Sequence, residues 1–364
     1  MSAAERVQTM APVSERRQAG AAVTQRRGEL AERLVALEFE RHPELAQRYG
    51  AVARAKSLQD ALYHLAHLAE ALAHDRPLLF TDYVAWARIV LGQRGIAVAD
   101  LAFHLGCTAE VLREQLPAEL GAAAAEVVDA AVAALPGMPD ALPSFLHDGA
   151  PLSPLAHQYF ASLLRADRQA AGRLVIDSVD AGTGIREVYL QVFEPSQYEI
   201  GRLWQMNRVT VAQEHYCTAA TQLVMSQLYP RLFDGERNGR RLVAACVASD
   251  LHEIGARMVA DFFEMDGWDT FYTGAGTPHD AVVSALVAQR AELLAVSATI
   301  ASHVEDVARL IATVRAHPAC AAVRILAGGH AFNRQPGLWR EVGADGWGAN
   351  AQQALAVAGA WRGN

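Results

Sequence analysis

The chain has 364 residues, 52% of them apolar and 20% charged, which is too long for one typical core and apolar enough to bury two or three. Its net charge of −8 lacks the basic footprint of a duplex DNA binder, so nucleic acid is not the expected partner. No apolar run approaches the roughly 18 residues of a membrane span, and the polar N-terminus lacks a secretory signal core, so a cytoplasmic protein is expected.

Residues 1–26 are polar and carry Arg6, Arg16, Arg17 and Arg26, which reads as a mobile tail. From 27 to 136 the apolar residues recur at three- and four-residue steps, as in LVALEFE, LQDALYHLAHLAEALAH and FTDYVAWARIVL, so this stretch is expected to be an all-helical domain. On one of its helices His64, His67 and His74 project within about 80° of each other. Arg76, Tyr83, Trp86, Arg88, Arg94 and His104 follow. A flat cofactor with propionates needs an apolar slot lined by such groups, although an ordinary helical core shows the same stripes. Cys107 is a lone cysteine that either attaches a cofactor or is simply a small buried side chain. With Cys217, Cys246 and Cys320 it forms no C-x-x-C pair, which suits a reducing compartment.

The Pro- and Gly-rich stretch 137–153 marks a linker. Residues 154–235 are expected to form a four-helix bundle, with helical pieces near 154–166, 168–181, 184–193, 196–207 and 210–228, and a break at Pro195. Thr210 followed by Gln213 is a capping-box signature that starts the last piece. From 236 to 364 short β-rich runs alternate with helical ones: RLVAACVAS, WDTFYTG, ELLAVSAT, VRILAGG and DGWG are the candidate strands. This pattern predicts an α/β, Rossmann-type or flavodoxin-like parallel sheet with its ligand at the carboxyl ends of the strands.

The loop after the first strand reads SDLHEIG. It is not a phosphate loop. Gly255 leaves room for close approach to the backbone where a helix begins. Asp250 can bond one imidazole nitrogen of His252 and make the other a better metal donor. One histidine alone implies a metal whose remaining ligands come from elsewhere, as in a macrocycle. Asp250-Leu251-His252-Glu-Ile-Gly255 resembles the D-x-H-x-x-G signature of cobalamin-binding domains. That family also has a serine loop after the third strand and a glycine pair after the fourth, here Ser297-Ala-Thr299 and Gly328-Gly329. The resemblance implies that the nucleotide base of cobalamin is displaced and that His252 is the lower axial ligand of cobalt.

Trp204, Glu214 and His215 form a W-x9-E-H pattern similar to the helical cap of CarH-type adenosylcobalamin photoreceptors. The resemblance implies that Trp204 shields the upper ligand, Glu214 binds its ribose and His215 is the candidate upper ligand after photolysis. The winged-helix DNA reader of that family has no counterpart here. A helical module ahead of the cap resembles instead the photocobilins, which carry a bilin in a globin-like domain. That resemblance implies biliverdin as a second chromophore near His64, His67, Arg76, Tyr83, Arg88 and His104. The expectation is a light-sensing signalling protein rather than an enzyme, dimeric through its caps, acting on a downstream output protein. A corrinoid methyl carrier for a methyltransferase is the alternative. A globin-like haem sensor, with His64, His67 or His104 as proximal ligand, is a third.

Overall fold

The computed structural model describes residues 11–232, 236–335 and 337–361. The chain divides between Leu142 and Pro143 into two compact units.

The N-terminal unit is helical throughout: α1 (Val13–Arg41), α2 (Leu45–Tyr49), α3 (Ala53–Ala73), α4 (Pro77–Gln93), α5 (Val98–Gln115) and α6 (Ala118–Ala134). Pro77 opens α4 in the first turn, where its missing N–H costs nothing. The mobile tail expected over residues 1–26 is corrected for the described part of that segment. Helix α1 begins at Val13 and buries Arg16, Ala19, Gly20 and Val23; residues 1–10 lie outside the described residues. Two physical facts explain the difference. A Cβ on Gly20 would fall 2.9 Å from the Ala69 carbonyl oxygen and the Ala73 nitrogen, so the glycine lets α1 and α3 pack backbone to backbone. The arginines that made the segment look solvated are ties: Arg16 pairs with Asp75, and Arg26 donates to the Gln115 carbonyl.

The second unit begins with α7 (Ser153–Leu164) and α8 (Arg168–Asp180), the latter N-capped by Asp167, which accepts from the Ala170 N–H at 2.9 Å. Then come α9 (Ile185–Val188), a π-helical turn (Tyr189–Phe193), α10 (Glu194–Gln205) and α11 (Val211–Leu228). The break expected at Pro195 is absent. The wider π turn lets the chain run from α9 into α10 as one rod, because Pro195 then meets no carbonyl one ordinary turn back. The capping box is present: Thr210 Oγ1 accepts from the Gln213 N–H at 3.2 Å, and Gln213 Oε1 accepts from the Thr210 N–H at 3.0 Å. Asn207, at φ 53°, turns the chain before it.

The sheet has five parallel strands, β1 (Arg241–Cys246), β2 (Asp269–Tyr272), β3 (Leu293–Ser297), β4 (Arg324–Gly328) and β5 (Gly346–Trp347), in the order β2-β1-β3-β4-β5. Helices α12 (Ile254–Glu264), α13 (His279–Gln289), α14 (Val304–Ala316), α15 (His330–Arg334), α16 (Leu338–Glu341) and α17 (Ala351–Ala360) complete it. Strands β1, β3 and β4 are almost wholly apolar because both faces are covered. Helix α12 faces two ways. Its Ile254, Met258 and Phe262 join Tyr159, Tyr189, Phe193 and Val224 in the core of the helical rods, while Ala260 and Phe263 pack on the sheet. The helix that follows the SDLHEIG loop is therefore part of the bundle's own core. No described helix is long and apolar enough to cross a membrane.

Candidate functional site

The three loops singled out in the sequence leave the sheet at one level. Cys246 is paired with Ser297 and Ser297 with Gly328, so the register brings the segments after β1, β3 and β4 to the same carboxyl edge. The strand order reverses between β1 and β3 at that point, which is where open α/β sheets hold ligands.

Asp250 is the fixed centre of the site, with no exposed surface. Its Oδ1 accepts from the His252 N–H at 3.0 Å and pairs with His252 Nδ1 at 2.7 Å. Its Oδ2 accepts from the Thr299 N–H at 2.5 Å. Burial alone would raise this carboxyl. The hydrogen bonds from the His252 side chain and from the His252 and Thr299 amides, with the His303 ring nearby, outweigh it and hold the group far below the ordinary carboxylate range. The hydrogen bond to Asp250 in turn raises His252 against the opposing effect of burial, and the Glu214 carboxylate adds to the rise. With Nδ1 committed to Asp250, the ring of His252, 56% exposed, presents Nε2 outward. That is the arrangement of a carboxylate-oriented imidazole donor. Among the described residues no group of three or more His, Cys, Asp or Glu side chains is placed to hold a metal, so the donor set suits a metal that brings most of its ligands with it.

Room for such a group is visible in the glycines. A Cβ on Gly255 would meet nothing within 4 Å, leaving the start of α12 open. Gly329 has φ 95°, and a Cβ there would lie 2.3 Å from the Ala298 carbonyl oxygen and 2.8 Å from Ser297 Oγ. Only glycine closes the β4 loop against the β3 loop in this way. Leu251 stands 77% exposed at the loop tip.

Helices α10 and α11 run side by side, since Gln197 Nε2 donates to Thr221 Oγ1 at 2.8 Å. Trp204 lies in the last turn of α10, and Glu214 and His215 lie early in α11. Glu214 accepts from Thr218 Oγ1 at 3.1 Å and hydrogen-bonds His215 Nδ1. His215 itself is 74% exposed and leans on its neighbour rather than inward. The hydrogen bond from Gln222 of α11 to Glu253, the residue after His252, holds this hairpin against the β1 loop.

Sequence reasoning missed three residues that tie the site together. Glu253 Oε1 accepts from Gln222 Nε2 at 2.7 Å, and its Oε2 accepts from the Tyr272 hydroxyl at 3.1 Å, linking α11 to the sheet beside His252. Arg257 donates to Ser226 Oγ at 2.9 Å, one turn on in both helices. His303 Nδ1 lies 3.6 Å from Asp250 Oδ2. No periodic pattern marks a loop residue such as His303. The four-residue steps 222/226 and 253/257 were a readable signal.

On α10, Glu194 is pushed up to about 7 by burial, from an ordinary 4.5. The fold therefore loses stability as pH rises from about 4.5 through 7 and gains nothing back above it. Glu194→Gln is expected to stabilise the protein by up to about 3 kcal/mol at pH 8 and by little at pH 5, which calorimetry at the two pH values checks.

In the N-terminal unit the structure brings together four of the six proposed bilin residues. His64 is buried, with Nδ1 2.9 Å from the Tyr83 hydroxyl. His67 stacks on Tyr83 at 3.8 Å, and the rings of His64 and His104 are 5.0 Å apart. His104 Nδ1 sits 3.3 Å from Glu38 Oε1, both side chains buried, while His104 Nε2 and Glu38 Oε2 have no hydrogen-bond partner among the described residues. Glu38 was missed although it follows Leu34 and Val35 on the buried phase of α1. Arg88 is not brought to this cluster as a propionate anchor. It donates to the Leu135 and Met138 carbonyls and closes the end of α6. Arg76 stands at the N-cap of α4. Cys107 is buried, and burial raises its thiol, the opposite of what attachment chemistry requires.

Comparison with known proteins bears on the second unit. Residues 240–356 match the family model of the B12 binding domain, and residues 155–229 match a second B12 binding domain model. The HTH-type transcriptional repressor CarA of Myxococcus xanthus is 31% identical over 122 residues, which is 34% of this chain and 41% of the repressor. The chain thus spans about two-fifths of that relative's length. Monomethylamine corrinoid protein 1 of Methanosarcina acetivorans is 25% identical over 202 residues, 53% of this chain and 91% of that protein. The solved structure of the Methanosarcina barkeri monomethylamine corrinoid protein shares the fold, with a TM-score of 0.51 and 18% identity over 57% of this chain and 98% of that one. A helical B12 binding domain followed by a sheet-based one is what this chain carries from residue 155 to residue 356, and it is a cobalamin-binding protein.

Proposed function

We propose that this protein is a light-responsive regulator that uses adenosylcobalamin, with a bilin as second chromophore in its helical N-terminal unit. The observation that carries the reading is the Asp250–His252 pair at the sheet edge, faced by a helix hairpin bearing Trp204 and Glu214. Cobalamin, when bound, supplies a cobalt–carbon bond that light breaks. The chain's own residues do the rest. Asp250 fixes the tautomer and direction of His252, whose Nε2 would hold cobalt. Ser297, Thr299, Gly328 and Gly329 shape the edge that receives the nucleotide tail. Trp204 and Glu214 would hold the group that cobalt carries toward the hairpin, and His215 would offer the chain's second nitrogen donor. The core shared by α12 and the helical rods makes the hairpin sensitive to what lies beneath it, which is how loss of the upper ligand reaches an output partner. Association of two copies through the hairpin face belongs to the same proposal, as does a regulatory rather than enzymatic role.

The bilin assignment rests on the stacked His67–Tyr83 wall and on the unpaired acceptors of Glu38 and His104, which suit a flat ligand with pyrrole N–H groups. A haem on His104 Nε2, with Glu38 behind it, is the competing reading of those same atoms. For the second unit the competing reading is a corrinoid methyl carrier, favoured by the length over which the monomethylamine corrinoid protein aligns. Absorption spectra of the loaded protein before and after green light separate these. Consumption of adenosylcobalamin in the absence of any partner supports the sensor. A photostable protein that turns over only with a methyltransferase supports the carrier. A far-red band marks the bilin and a Soret band the haem.

A further inference from the structure

One sector of helix α10 holds a buried polar atom that no described residue pairs. Gln197 and Tyr198 point about 100° apart and bound a sector between two neighbours. Gln197 bonds α11 through Thr221 at 2.8 Å, and the ring of Tyr198 lies 6.1 Å from that of His330, the residue after the Gly328-Gly329 loop. Gly201 and Gln205 fall inside this sector, about 40° and 80° round from Gln197. They therefore point between the directions of α11 and of the β4 loop. Gln205 Oε1 is buried and has no hydrogen-bond partner among the described residues. A Cβ on Gly201 would meet nothing within 4 Å, so the helix has a notch one turn before that oxygen, about 6 Å along the axis. Glu194 falls in the same sector, half-buried, and burial pushes its carboxyl up to about 7, which is consistent with a face built for a partner other than water.

We propose that Gly201 and Gln205 select the upper ligand: the notch at Gly201 seats its purine, and the Gln205 amide reads the purine edge. A glutamine amide pairs with adenine in two bonds, its oxygen accepting from the exocyclic amine and its NH2 donating to a ring nitrogen. An unsatisfied buried oxygen costs stability until such a donor arrives. Tyr198, on the other side of the notch and backed by the ring of Phe145 at 5.2 Å, supplies an apolar wall. The inference rests on the adenosylcobalamin reading above and deepens it by naming the residues that distinguish an adenosyl from a methyl upper ligand.

The test is dark titration of the full-length protein with adenosylcobalamin and with methylcobalamin, for the wild type, Gly201→Leu and Gln205→Leu. Leucine favours helix more than glycine does, so the first variant fills the notch without weakening α10, and an undiminished Tm checks this. Each variant is expected to lose about tenfold or more in affinity for adenosylcobalamin and to keep its affinity for methylcobalamin. Equal losses for both ligands, or none for either, would overturn the assignment while a wild-type preference for adenosylcobalamin leaves the sensor reading standing. A wild type that binds both ligands equally would overturn the assignment and the adenosyl reading together.

Discussion

His252→Ala is expected to abolish protein coordination of cobalt and to weaken cobalamin binding by more than the about 10–100-fold typical of removing an outer-sphere partner. Neither of the other two imidazoles beside the β1 loop is placed to take over. His303, the other imidazole near Asp250, points Nδ1 at Oδ2 from 3.6 Å, and His279 is engaged with Asp306 at 3.0 Å. Asp250→Asn should fall between wild type and His252→Ala. The amide keeps the shape but loses the charge that raises His252 and the acceptor pair that holds both the His252 and Thr299 amides. Equilibrium binding and the visible spectrum of the bound corrinoid check both variants. An unchanged spectrum in His252→Ala would mean that cobalt never depended on this imidazole.

Gly329→Ala is the second large expected effect, and it acts through the backbone. An L side chain is strained at φ 95°, and its Cβ would sit 2.3 Å from the Ala298 carbonyl oxygen. The β3 and β4 loops cannot both keep their places. A loss of about 3 kcal/mol or more in folding stability is expected, with cobalamin binding lost alongside. Gly328→Ala is the control. Its Cβ would make an ordinary contact 3.5 Å from the Gly348 carbonyl oxygen, so a change within about 1 kcal/mol is expected. Thermal unfolding of the two variants side by side checks the contrast. Equal effects would show that the close approach at Gly329 does not shape the site.

Much of this architecture could be read before any coordinates. The five β-rich runs were legible because buried parallel strands are continuous apolar segments ended by turn residues, and the loop motifs stood out because each falls at such an end. The Thr210–Gln213 capping box was legible because it is written in four consecutive residues. What escaped notice depends on the third dimension. The α1 segment before residue 27 looked solvated because its arginines were counted as charge, when Arg16 and Arg26 are hydrogen-bonding ties and Gly20 is a contact point. Pro195 looked like a break because sequence alone does not announce a π turn. The pairings of Glu253 with Gln222, and of Glu38 with His104, join residues 31 and 66 positions apart, and only folding brings such partners together. Arg88 was named for a ligand because a sequence cannot show that two backbone carbonyls already occupy it.

The central claim is that His252 is the lower ligand of cobalt. It is tested most directly by electron paramagnetic resonance of the protein produced with 15N-labelled histidine and loaded with cob(II)alamin of natural isotopic abundance. Coordination by His252 predicts that each cobalt line splits into a doublet from a single 15N nucleus, and that the doublets vanish in His252→Ala. Triplets from 14N in the labelled protein would mean that cobalt keeps its own nucleotide base, and would contradict the account.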